Sequence, residues 1–341
     1  MHPEISLVLL TVLAGAGQGV FILMVVLDSL FSTTGAVPVP AGYMYAAGAV
    51  ALIFQAAGII ASTSHLGNPQ RGWRAMLMIR NSWLSREVIT LSLSVGLTLL
   101  YLVAFHFGLP GKFRLLIGLA GIAANGGFYI SSSMVYASVT FVREWANTYT
   151  PLSFLVFGIT SGIGVSLPIL YFTGTDLSIL TGTIQVFIAL VVVSLIIKVL
   201  AYRFIGRAYV SVNIKNAIGI NDPDIKLMDM GSSYDHYNTT EYFYPISEKN
   251  VSRSKILTIS TAFAIPLIIS VVLLLNREGD MNLLLSTIAS VSMIVGLVVD
   301  RRLFFIQGNN IQNLYYANFR NAGAPNPLVS KARKGTPVPM G

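Results

Sequence analysis

Residues 5–30 read ISLVLLTVLAGAGQGVFILMVVLDSL, 26 residues in which Asp28 carries the only charge. A helix rises 1.5 Å per residue and needs about 20 apolar residues to cross a hydrocarbon core of about 30 Å, so this stretch is long enough to span a membrane. No basic segment precedes it, and it is too long for the apolar part of a signal peptide, so it reads as a retained helix. Seven further stretches of the same kind follow at 41–62, 88–109, 115–136, 151–173, 180–201, 256–275 and 283–299. None alternates polar with apolar residues as a barrel strand would. The expected fold is an all-α integral membrane protein, a bundle of eight transmembrane helices.

Composition agrees. Of 341 residues 54% are hydrophobic and 11% charged, and the mean hydropathy is +0.70. A soluble chain carries about 25% charged residues, which excludes a water-covered globule. The chain has no cysteine, which excludes a disulfide scaffold and every zinc or iron–sulfur site built on thiolates.

The basic residues orient the bundle. With the N-terminus inside, 18 of the 22 Lys and Arg fall on inner segments: Arg71, Arg74, Arg80, Arg86 and Arg143, seven between Arg203 and Lys255, and six from Arg301 to Lys334. The outer segments hold only Lys112, Arg114 and Arg277, and Lys198 can snorkel from the inner end of the sixth helix. This is a positive-inside pattern, so both termini are expected in the cytoplasm. It explains the net charge of +8 by topology, and no nucleic-acid partner is expected. Residues 1–322 form one membrane domain, with a long cytoplasmic loop at 202–255, and residues 323–341 an extended Pro-, Gly- and Lys-rich tail.

The chemistry concentrates between the second and third helices, at His65-Leu66-Gly67-Asn68-Pro69-Gln70-Arg71-Gly72-Trp73-Arg74 and Asn81-Ser82-Trp83-Leu84-Ser85-Arg86-Glu87. Asn68-Pro69 is an N-cap followed by a proline at the first helical position, predicting a short amphipathic helix on the membrane surface. Arg71 and Arg74 would share one of its faces, with Trp73, Met76 and Leu77 on the other. Asn81 or Ser82 can cap the third helix, setting Arg86 and Glu87 in its first turn. Each residue also has an ordinary role. The arginines suit lipid phosphates, Trp73 and Trp83 an aromatic belt, and Glu87 the positive end of the third helix or an ion pair with Arg74 or Arg86. His65 belongs to no belt. An imidazole and a carboxylate at this depth suit proton-coupled quinone chemistry. The glycines of Gly15-Ala16-Gly17-Gln18-Gly19 let helix backbones approach closely, and Gln18 among them is a further candidate quinone contact.

The 65–87 stretch resembles the membrane anchor subunits of DMSO-reductase-family molybdoenzymes. The start of the chain, Met1-His2-Pro3 with Gly15–Gly19, resembles the same family, in particular the anchors of cytoplasmic sulfite dehydrogenases. The resemblance implies an anchor in the cell (inner) membrane that exchanges electrons with ubiquinone or menaquinone. Its partners would be a four-cluster ferredoxin-like iron–sulfur subunit and a molybdopterin catalytic subunit, docked on the cytoplasmic face. His65 and Glu87 fall on the family's quinone-site histidine and acidic positions, with Arg71, Arg74, Trp83, Arg86 and Gln18 in support. Sulfite oxidation with quinone reduction is the first expectation and quinol-driven reduction of DMSO or another sulfur compound the second. A stand-alone transporter is the rival of another class, but the chain lacks matched halves with paired broken helices. No haem is expected, because no two of the four histidines can meet within the bilayer.

Overall fold

The computed structural model describes residues 5–34, 38–64, 68–208, 246–276, 279 and 281–308. His65, residues 209–245 of the long loop and residues 309–341, which include the 323–341 tail, lie outside the described residues. Eight helices are long and apolar enough to cross a membrane, and no strand occurs among the described residues. Helix α1 starts at Ile5–Leu9, passes through a π-helical turn at Leu10–Ala14 and continues over Gly15–Thr34. It is followed by α2 (Ala41–Thr63), a 3₁₀ helix (Pro69–Met78), α3 (Trp83–His106), α4 (Gly111–Ala137), α5 (Tyr149–Phe172) and α6 (Leu177–Ala208). Helix α7 runs through Glu248–Thr258, a π-helical turn at Ile259–Ala264 and Ile265–Leu275, and α8 is Asn282–Gln307. Gly108 and Gly174, both at φ 63°, terminate α3 and α5 in the left-handed conformation that glycine adopts without a Cβ clash.

Helix α1 is the central element, packed on α2, α4 and α5. A Cβ on Gly19 would lie 2.5 Å from the Gly158 carbonyl oxygen and 2.9 Å from the Gly162 Cα, and one on Gly17 2.8 Å from the Ala51 carbonyl oxygen. The 15–19 glycines therefore do set close backbone crossings, the chief route to tight packing where lipid offers no hydrophobic drive. The π turn of α7 has a local cause. Pro266 has no N–H and its ring crowds the carbonyl one turn back, and the Ser292 hydroxyl of α8 donates to the Thr261 carbonyl in the widened turn at 2.8 Å.

Three boundaries differ from the sequence expectation. Helix α6 continues to Ala208 and α7 begins at Glu248, so both ends of the 202–255 stretch are helical. The Ser247 hydroxyl accepts from the Asn250 N–H at 3.3 Å and starts α7 ahead of its apolar run. Helix α8 continues past Val299 to Gln307, so Asp300 and Arg301 belong to the last spanning helix instead of following it. Lys198 does not snorkel: its side chain is buried and ion-paired with Asp300.

Candidate functional site

The connection from α2 to α3 folds as its residues dictate, with one change of geometry. Asn68 precedes Pro69 at the start of the short helix, but its side chain makes no cap bond, and the helix is 3₁₀ rather than α. With three residues per turn, Leu77 falls in line with Arg71 and Arg74 rather than opposite them. Arg71, Arg74, Trp73, Leu77 and Met78 are all exposed, so the helix lies on the bundle end and covers little of it. Arg74 is 5.9 Å from the ring of its own neighbour Trp73.

Ser82 caps α3, its hydroxyl accepting from the Ser85 N–H at 3.3 Å. The helix therefore begins at Trp83, which puts Glu87 at its fifth residue, one position beyond the first turn. Arg86 turns outward. Its Nε donates to the Ile79 carbonyl at 2.9 Å and its guanidinium to the Arg80 carbonyl at 2.7 Å. The same guanidinium lies 4.1 Å from the Trp83 ring, so Arg86 and Trp83 lock the end of the 3₁₀ helix onto the start of α3. Glu87 turns inward and is 6% exposed. The Ser132 hydroxyl of α4 adjoins it and is buried without a hydrogen-bond partner among the described residues. Neither Arg74 nor Arg86 pairs with Glu87 there, so the ion pair that was one of its ordinary roles does not form and the carboxyl faces α4.

Gln18 lies deeper. Asn125, seven residues or about 10 Å from Ser132 along α4, donates to the Gln18 carbonyl at 3.3 Å. Around it Ser94 Oγ sits 3.0 Å from Gln55 Oε1 and 2.5 Å from Asn125 Oδ1, with one proton between them, and Gln55 Nε2 is 3.3 Å from the Thr98 hydroxyl. Both side-chain polar atoms of Gln18 are buried without a partner among the described residues. A buried amide with no partner costs about 1–3 kcal/mol, and its donor and acceptor match a neutral carbonyl-bearing ring or water. The structure thus groups Glu87 and Ser132 at one level and Gln18 at another, with Trp83 and Arg86 at the rim and Arg71 and Arg74 outside. His65 lies between Ser64 at the end of α2 and Asn68, outside the described residues.

A second buried polar cluster escaped the sequence reading. Asp300 is ion-paired with Lys198 and accepts from the Tyr202 hydroxyl at 3.4 Å. Arg301, 4% exposed, lays its guanidinium 3.6 Å from the Phe154 ring. One signal could have found them. The buried face of α8 repeats at Ser286, Ser290, Met293, Leu297 and Asp300, and carrying that helical period beyond Val299 puts Asp300 inside. Next to Arg301 the rings of Tyr136, Trp145, Phe154, Phe304 and Phe305 form one aromatic cluster. Trp145 Nε1 pins it by donating to the Phe304 carbonyl at 2.9 Å.

Residues 1–307 match the family described as DMSO reductase anchor subunit (DmsC). The chain is also 34% identical over 328 residues to a sulfite dehydrogenase subunit of Allochromatium vinosum, an alignment that covers 93% of this chain and 99% of that protein.

Proposed function

The chain belongs to the DMSO reductase anchor subunit family, and from that premise we propose that it links a molybdenum enzyme to the membrane quinone pool by reducing quinone with electrons from sulfite. In the partner, sulfite and water would give sulfate, two protons and two electrons. At the anchor, quinone would take two electrons and two protons to become quinol. A chain without cysteine has no thiolates to carry a cluster, so an iron–sulfur subunit would deliver the electrons and a molybdopterin subunit would hold the oxidation site. Positive-inside bias supports a cytoplasmic docking face for both.

The observation that carries the quinone assignment is Glu87, a carboxyl drawn inside the bundle at its basic end with the Ser132 hydroxyl beside it. In this reading His65 bonds a quinone carbonyl and exchanges its proton, while Glu87 passes that proton to or from water. Trp83 and Arg86 hold the rim, Arg71 and Arg74 meet lipid phosphates or the docked partner, and Gln18 contacts a ring that enters deeply. The choice of sulfite rests on the likeness to the Allochromatium vinosum sulfite dehydrogenase protein. Complex purified through this chain would be assayed for sulfite-dependent quinone reduction and for quinol-dependent reduction of DMSO. Sulfite-dependent turnover with molybdenum and iron in the preparation supports the proposal. Quinol:DMSO activity alone would reverse the direction of electron flow, and a metal-free single chain would favour the transporter.

A further inference from the structure

Midway between the charged ends of the bundle, α1 to α4 bring together amides and hydroxyls that cannot satisfy one another. The packing of α1 gives the direction. Its Phe21 ring lies 2.5 Å from where a Cβ on Gly121 of α4 would be, and its Ala14 lies 2.9 Å from where one on Gly58 of α2 would be. Gln18 stands one turn from each, so its side chain leaves α1 between α2 and α4. Asn125, one turn from Gly121, donates to the Gln18 carbonyl at 3.3 Å and fixes the level. There Ser94 Oγ lies 3.0 Å from Gln55 Oε1 and 2.5 Å from Asn125 Oδ1. One hydroxyl proton faces two carbonyl oxygens, so one of them lacks a donor. Turning the Gln55 amide over only moves the shortage to Thr98, 3.3 Å away, whose proton goes to the Ser94 carbonyl at 2.8 Å. Gln18, fully buried, adds an oxygen without a donor and an amino group without an acceptor among the described residues.

The balance calls for one small group that both donates and accepts. All five side chains are neutral, so they suit a neutral ligand and would leave an ion uncompensated. The level is also closed above and below. Leu91 stands between Glu87 and Ser94 on α3 and Phe128 between Asn125 and Ser132 on α4, both in one buried apolar cluster, while Phe21 and Val25 close the side toward Asp28. We propose that Gln18, Gln55, Ser94 and Asn125 hold an ordered water in the middle of the bilayer. It donates to Gln18 Oε1 and to whichever of the Gln55 and Asn125 oxygens Ser94 does not serve, and it accepts from Gln18 Nε2. Three bonds are what a buried water typically makes. The water ties α1 to its neighbours at a depth where apolar packing gains no hydrophobic drive. It does not depend on the quinone reading. A ring that reached Gln18 would have to part Leu91 from Phe128 and displace it.

The test uses the intact complex. A high-resolution map should show a density peak within hydrogen-bond distance of the Gln18 amide, in preparations stripped of quinone as well as in loaded ones. Gln18→Leu nearly keeps the volume and removes the bonds. A hydrated amide is satisfied, so its loss strands the water and should lower the thermal midpoint in detergent by a few degrees. A dry, unpartnered amide is a net cost, and the same substitution would then raise the midpoint. Ser94→Ala and the double variant complete a cycle. The Gln18 and Ser94 side chains share no direct bond, so non-additive shifts report the bridge between them. A quinone-free map without the peak, or a raised midpoint in Gln18→Leu, overturns the proposal. A peak present only with quinone and continuous with its ring assigns the place to the ring and overturns it too. If Gln18→Leu yields no complex, the quinone-free wild-type map decides by itself.

Discussion

Glu87 and Arg86 are neighbours in sequence with opposite fates. A helix turns 100° per residue, so once Ser82 sets the start of α3, Arg86 faces the 3₁₀ carbonyls and Glu87 faces α4. Replacing Glu87 by Gln keeps this shape and removes the proton. Quinone-linked turnover should fall and lose its pH inflection, while activity with an artificial acceptor persists. His65→Ala should lose about 10²-fold of quinone turnover, the typical weight of a positioned acid–base group. Normal kinetics in both assembled variants would move the quinone site elsewhere. At the opposite end of the bundle Asp28 pairs with Arg114 at 2.9 Å and accepts from the Tyr101 hydroxyl at 2.6 Å. Breaking a buried pair from one side costs about 3–5 kcal/mol. Arg114→Gln should therefore lower the thermal midpoint in detergent clearly more than Tyr101→Phe, which removes one hydrogen bond worth about 1.5–3 kcal/mol. Equal midpoints would mean that the pair is not holding α1 to α4.

Among the elements, α1 depends most on small residues. Gly19 meets Gly158 and Gly162 of α5 backbone to backbone, so Gly162→Leu leaves no room for the side chain and should abolish recovery of the assembled complex. Gly96 and Gly126 have open space where a Cβ would go, and Ala at either position should be tolerated. A Gly162→Leu complex recovered at wild-type yield would show that α1 and α5 are not locked as described. The short helix after α2 illustrates the limit of local reading. Asn68-Pro69 marks its start correctly, but the 3₁₀ winding and the tether just past its far end, where Arg86 binds the Ile79 and Arg80 carbonyls, are not written in the capping pattern.

At the scale of the whole molecule the polar groups form three levels. Glu87, Ser132 and the Arg301 cluster occupy the basic end, neutral Gln55, Ser94, Thr98, Asn125 and Gln18 the middle, and Asp28, Tyr101 and Arg114 the other end. Apolar Phe21 and Val25 of α1, both fully buried, fill the gap between the middle level and Asp28. Intramembrane charged groups usually mark proton routes, and no Asp, Glu, Lys, Arg or His among the described residues bridges that gap. Quinone turnover in proteoliposomes should therefore take up or release its protons on the His65 side. One full charge crossing per electron, with protons exchanged at the far face, would refute this. Reporter fusions at either terminus should both score cytoplasmic.

Length, apolar runs and the bias of arginine and lysine were enough to read eight spanning helices, because the bilayer core sets one length for every span and water is needed by nearly every charge. The glycines of α1, the helix start at Asn68-Pro69 and the cap at Ser82 were legible for the same reason: each acts through its own backbone and immediate neighbours, though the Asn68 side chain makes no cap bond. What no local pattern held was where side chains from distant segments meet. Only packing decided that Lys198 would find Asp300, that α8 would carry Arg301 into the bundle against Phe154, and that Glu87 would face Ser132 rather than an arginine. Such contacts depend on the register and rotation of helices far apart in the chain, and tertiary packing alone sets those.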